Sequence, residues 1–161
     1  MTPRVFDADL SDPRDAQRVL DVLDSYASDP VGGGKPLSRD VRERLPAMLR
    51  DLSTSLVLLA AVDDRCCGVA VCFYSLSTFR ARPLLNIHDL AVLPEYRGHG
   101  VGRALLQAAE DRARGKGCCR LTLEVQEDNT RARILYRRFG FEDVVVGGSA
   151  PTRFLAKNLG T

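Results

Sequence analysis

Leu90-Ala-Val-Leu-Pro-Glu-Tyr-Arg-Gly-His-Gly-Val-Gly-Arg103 packs three glycines into five positions, between an apolar run and a helical pattern. Glycine lets backbone N–H groups converge on one point without side-chain obstruction. The start of the following helix adds unpaired donors and a positive dipole end. Arg97 and Arg103 bracket the loop with fixed charge. The spacing therefore predicts a diphosphate cradle. It is not a nucleoside-triphosphate loop, because Gly102 is followed by Arg103 and Ala104 instead of Lys and Ser or Thr. Nor is it a dinucleotide fingerprint, since neither Gly98 nor Gly100 starts a Gly-x-Gly-x-x-Gly run. The pattern is Arg97-x-x-Gly100-x-Gly102.

Upstream of the loop, residues 84–92 read as a buried strand ended by Pro94. Residues 55–62 and 68–77 form two further apolar runs, with Asp63-Asp64-Arg65 as a hairpin turn between them. Two helices precede these. One starts at Asp12-Pro13 and carries Ala16, Val19, Leu20, Leu23 and Tyr26 at helical spacing. The other is capped by Ser38, with Pro46 expected to kink or split it. Between them, residues 28–36 read as a flexible Gly/Pro loop. Downstream, a helix is expected over 101–114, closed by Gly115 and Gly117. An alternating strand follows over 120–126, then a helix over 129–139 and short strands at 144–146 and 152–158. Helices, then a hairpin, then strand-helix-strand-helix-strand describe a single α/β domain over 1–161, a mixed sheet with helices on its faces.

The chain has 161 residues, 45% of them hydrophobic and 27% charged, which fits a globular protein and argues against disorder. Lys plus Arg number 23 against 21 for Asp plus Glu, a net charge of +2. That balance gives no electrostatic reason to expect nucleic acid or an anionic membrane as partner. Neither a transmembrane-length apolar run nor a signal peptide is visible, so a cytoplasmic location is expected. The five cysteines and two histidines show no metal-ligand spacing. Reduced cysteines acting as small apolar side chains, and no metal, are the expectation.

The Arg97 to Gly102 pattern resembles the pyrophosphate loop of the GNAT superfamily of acetyl-CoA-dependent N-acetyltransferases, Arg/Gln-x-x-Gly-x-Gly/Ala. A second family pattern follows in Leu123-Glu-Val-Gln-Glu-Asp-Asn129, Ala132, Leu135-Tyr136 and Phe139-Gly-Phe141. The resemblance implies a central mixed sheet, flanked by helices, whose fourth and fifth strands splay apart around the pantetheine arm of acetyl-CoA. It assigns that arm to backbone groups of the Leu90-Ala91-Val92 segment. The diphosphate falls to amides of Gly98, His99, Gly100, Val101, Gly102 and Arg103, beside Arg97, with Asn129 and Ala132 further along the cofactor.

Acetyl transfer to an amine needs a polarised thioester, a neutral amine and a proton for the departing thiolate. By resemblance Tyr136, seven residues after Asn129, is the general acid. A phenol of pKa about 10 is protonated at pH 7 and can protonate a thiolate. A lysine-like amine of pKa about 10.4 costs about 4–5 kcal/mol to deprotonate, so a base or water relay helps. Glu124 aligns with the base position of ribosomal-protein N-terminal acetyltransferases. His88 stands where polyamine acetyltransferases carry Glu, in His88-Asp89-Leu90-Ala91-Val92. Of the two, Glu124 acting through water is expected to matter more. Stretches 26–34 and 77–83 resemble diamine and polyamine acetyltransferases, which makes a small cationic amine the expected acceptor. Asp24 and Asp29 are candidates for binding it. Peptide N-termini, lysine side chains and a silent acetyl-CoA-binding module remain open, as does a homodimer.

Overall fold

The computed structural model describes residues 2–148 and 150–160, which fall into two compact units, residues 1–123 and 124–161. The first holds a five-stranded sheet in the order β1 (Arg4–Asp7), β2 (Ser55–Val62), β3 (Arg65–Ser77), β4 (Arg82–Val92) and β5 (Leu121–Leu123). Neighbours pair antiparallel except β4 with β5, which run parallel. The sheet is mixed, as the sequence predicts. β1 is not foreseen, since four residues, Arg-Val-Phe-Asp, are too few to show alternation and pair only with β2.

β2 and β3 form the centre. Six consecutive residues of β2, Val57 to Val62, are buried, as a strand covered on both faces requires. The hairpin turn is the pair Asp63-Asp64, both with positive φ (47° and 62°), which matches the twist of the flanking strands; Arg65 already belongs to β3. α1 (Pro13–Ser28) is capped by the Asp12 carboxylate on the Arg14 N–H, and α2 (Arg39–Asp51) by Ser38 on the Val41 N–H. α2 runs as one helix through Pro46, not two. Ion pairs Arg39–Glu43 and Arg44–Asp40 brace its first turns, and Leu49 anchors its end in the core. Val19, Val22 and Leu23 of α1 join Leu49, Val57, Leu59, Val69, Val71 and Ala91 in a cluster on one sheet face.

α3 (Val101–Gly115) covers the opposite face, burying Val101, Leu105, Leu106, Ala109 and Ala113 along one stripe. The approach is tight at Gly68. A Cβ there would lie 2.9 Å from Val101 Cγ1 and 3.1 Å from Leu105 Cδ1. Arg112 reaches Asp7 with Nη2–Oδ1 at 2.6 Å, tying α3 to edge strand β1.

The second unit contains α4 (Thr130–Phe139), with the Asn129 carboxamide oxygen accepting from the Ala132 N–H at 3.3 Å and Gly140 closing its C-terminus. The strands expected at 144–146 and 152–158 do not form among the described residues. A single bridge, Val145 to Pro151, stands in their place, and Ser149 lies outside the described residues. Val146, Phe154, Leu155 and Leu159 are exposed, so this stretch lacks the buried face that would fix a strand register.

Candidate active site

β4 carries His88, Leu90, Ala91 and Val92 of the predicted residues, and the loop and helix start that follow it carry Arg97 to Arg103. The pairing of β4 with β3 slips by one residue: Val71 faces Asp89 while Cys72 faces Ile87, leaving His88 as the extra residue of a bulge. A bulge changes which side chains share a face. Here the His88 imidazole meets the Phe73 ring edge-on at 5.4 Å, and Phe73 packs against the α1–α2 core cluster. Asp89 pairs with Val71, a member of the same cluster, so His88 and Asp89 occupy one face although they are consecutive. His88 is exposed, whereas Asp89 is half-buried. Burial pushes the Asp89 carboxyl above the ordinary aspartate range, opposed by the neighbouring His88. Tyr26 of α1 is pushed up as well, by burial first and then by Asp89 and Asp29.

The parallel ladder between β4 and β5 covers three pairs and ends at Ile87 with Leu123. Beyond it, no strand pairs with that edge of β4 among the described residues. The Leu93 N–H donates to the Cys67 carbonyl across β3 at 2.8 Å. The opposed pairs Gly68–Val92 and Ala70–Leu90 are then non-hydrogen-bonded positions, and the backbone groups of Leu90 and Val92 point away from β3. Ala91, between them, is buried in the core.

Beyond β4 the chain makes a 3-10 turn, Pro94–Tyr96, and enters the glycine loop. Gly98 and Gly100 have φ of +79° and +84°, a left-handed backbone that side chains rarely adopt. A Cβ on either would meet nothing within 4 Å, so the loop backbone faces open space. Gly100 is the N-cap of α3 and supplies no side-chain cap, which leaves the first amides of the helix for an outside acceptor. Val101 is buried and Gly102 half-buried, while His99 and Arg103 are exposed. Open backbone, left-handed glycines and an uncapped helix start fit a diphosphate. Arg97 departs from the expected picture. Its Nε donates to the Val92 carbonyl at 3.0 Å, and its Nη2 pairs with Asp29 Oδ2 at 3.1 Å.

In the second unit, Glu124 does not lie on a strand as predicted, because β5 ends at Leu123 with its ladder to β4. It is exposed and immediately follows that last pair. Asn129 caps α4 and Ala132 receives that cap. Tyr136, on α4, packs edge-on against Phe141 with ring centroids 5.8 Å apart. Among the described residues no group of three or more His, Cys, Asp or Glu is placed to hold a metal ion.

The chain matches the Acetyltransferase (GNAT) family over residues 19–141. It belongs to that family. Among GNAT relatives, it is 36% identical over 77 residues to the thialysine N-epsilon-acetyltransferase of Bos taurus, covering 48% of this chain and 45% of that protein. It is 37% identical over 91 residues to the streptothricin acetyltransferase of Streptomyces lavendulae, covering 56% of this chain and 46% of that protein. The chain thus spans about half the length of these relatives. A solved structure described as a probable acetyltransferase superposes with a TM-score of 0.78 at 22% identity, covering 96% of this chain and 99% of that one. That likeness carries the fold.

One residue and one pairing at this candidate site escaped the sequence reading. Asp89 stood beside His88 unassigned, although a bulge at that point signals that both can share a face. The Asp29–Arg97 pair spans 68 positions and leaves no local signal.

Proposed function

We propose that the chain is an acetyl-CoA-dependent N-acetyltransferase acting on a primary amine of a small cationic molecule. One observation carries the reading. The outward backbone of Leu90 and Val92 on β4 leads directly into a left-handed glycine loop at the uncapped start of α3. Leu90 and Val92 would hold the pantetheine arm as a strand holds its neighbour, and amides from Gly98 to Arg103 would hold the diphosphate, with Asn129 and Ala132 further along. Bound acetyl-CoA supplies a thioester carbonyl open to attack by an amine. An outward N–H on β4 can polarise that carbonyl. Tyr136 supplies the proton for the leaving thiolate, supported by its place seven residues after the Asn129 cap.

Glu124, through water, orients the amine and passes its proton outward. Its support is its exposed position directly after the last β4–β5 pair. A small-amine acceptor is supported by relatives whose names state acetylation of thialysine and streptothricin. A homodimer and a cytoplasmic setting complete the reading, and sedimentation checks the first.

The test is an amine-panel assay following thiol release and product mass, repeated with Tyr136→Phe. We expect small diamines or basic amino-acid analogues to be acetylated, and Tyr136→Phe to lower kcat roughly 100-fold with acetyl-CoA affinity kept. A tenfold kcat/KM advantage for an N-terminal peptide would replace the acceptor class. A loss under threefold in Tyr136→Phe would give proton donation to solvent. Loss of activity in His88→Gln, with Glu124→Gln near wild type, would move the base to His88.

A further inference from the structure

Asp29 follows α1, and Asp24 lies on it; the sequence suggested these two aspartates as acceptor ligands. Both of those aspartates are already committed within the fold. Asp24 accepts from the Leu37 N–H at 2.8 Å and pairs with Arg42. Asp29 uses its two oxygens differently. Oδ1 accepts from the Val31 N–H at 3.1 Å, capping the 3-10 turn Pro30–Gly32, while Oδ2 takes Nη2 of Arg97. The Arg97–Asp29 side chains are 26% and 23% exposed, against 93% and 60% for the surface pair Arg39–Glu43. Shelter of that kind weakens solvent screening, so the pair holds its geometry better than an exposed one. The same guanidinium grips the Val92 carbonyl through Nε, on the open edge of β4. One side chain therefore joins three parts: the loop after α1, the end of β4, and the first residue of the Arg97-x-x-Gly100-x-Gly102 pattern.

We propose that Asp29 is a positioning residue for acetyl-CoA, acting through Arg97, and not a ligand of the amine. Its carboxylate fixes the guanidinium, which fixes the Val92 carbonyl and the entry to the glycine loop. Arg97 thereby serves the diphosphate site as a brace, while the backbone amides of the loop do the gripping. The inference rests on the acetyl-CoA reading of residues 90–103.

Asp29→Asn tests it, because the carboxamide oxygen can still cap Val31 while Arg97 loses the carboxylate charge and the oxygen that accepts from its Nη2. Calorimetry with acetyl-CoA and steady-state kinetics with the preferred amine are run on wild type, Asp29→Asn, Arg97→Gln and the double variant, with melting temperatures alongside. We expect Asp29→Asn to raise the acetyl-CoA Kd roughly three- to tenfold and to leave the amine KM within about twofold. The double variant should bind no more weakly than Arg97→Gln alone, since the two residues act as one unit. Asp29→Glu should recover part of the loss. Should Asp29→Asn fail to fold, Arg97→Gln against Arg97→Lys reads the same pair from its other side, Lys retaining part of the affinity. A tenfold rise in amine KM with an unchanged acetyl-CoA Kd would make Asp29 an acceptor ligand and overturn the proposal. Unchanged values for both would overturn it too. Wild type that binds no acetyl-CoA would instead remove the underlying functional reading, and this inference with it.

Discussion

Asp89 carries an unusual burden for a residue on a central strand. It is half-buried beside Tyr26, and burial raises its pKa, with His88 pulling the other way. Above about pH 4 an unfolded aspartate loses its proton, while the folded Asp89 still keeps its own. In that window the folded state binds more protons than the unfolded one, so stability falls as pH rises through it and levels off above the folded pKa. Asp89→Asn removes the titration. Its stability relative to wild type, from urea midpoints between pH 4 and 8, should therefore climb with pH and then reach a plateau. Parallel curves for the two proteins would show that Asp89 titrates normally. Burial of Asp89 next to the bulge that exposes His88 thus carries a cost in stability at neutral pH.

β3 passes close under α3 at Gly68. Gly68 exists at that crossing because an added methyl would press on Val101 and Leu105, both fully packed. Gly68→Ala should cost about 1–3 kcal/mol and lower the melting temperature by roughly 3–10 °C. An unchanged melting curve would mean that α3 can shift outward without loss. The elements built from long, patterned segments were legible in the sequence. Continuous burial in β2, the stripe of α3 and the Asp12 and Ser38 caps leave local marks. Those defined by a partner were not. β1 exists because β2 offers it an edge, β5 stops at Leu123 because β4 bulges after Ile87, and Pro46 is tolerated because α2 packs through Leu49. The glycine loop was readable because left-handed φ and open approach select residue types. The brace beneath it was not, because a salt bridge between distant loops imposes no spacing on either.

Across the whole molecule, the cysteines report on packing. Cys72 is fully buried and its thiol is pushed up to about 12; Cys66 is pushed up to about 11, again by burial. Cys67, also buried, is raised for the same reason. Since the thiolate is the reactive form, iodoacetamide at pH 8 should leave these three unmodified in the native protein and alkylate all of them in urea. Cys119, half-buried at the approach to β5, should react first, ahead of its neighbour Cys118, whose thiol is also pushed up by burial. Peptide mass mapping reads the order directly. Rapid native alkylation of Cys72 would mean that the central sheet opens far below its global unfolding free energy.

The pairing of β1 has a consequence for synthesis. Arg4 finds its partner at Ala61, so this strand waits for more than fifty further residues to be made. At roughly 5–20 residues per second that is a delay of several seconds, during which α1 and α2 emerge before any of the other four strands. A strand left waiting beside amphipathic helices whose apolar faces are still uncovered is an invitation to pair with another nascent chain. β1 is only four residues long and has a charge at each end, Arg4 and Asp7. It is short enough to be a poor template for a neighbour on the same messenger, and Asp7 secures it to Arg112 only once α3 has been made.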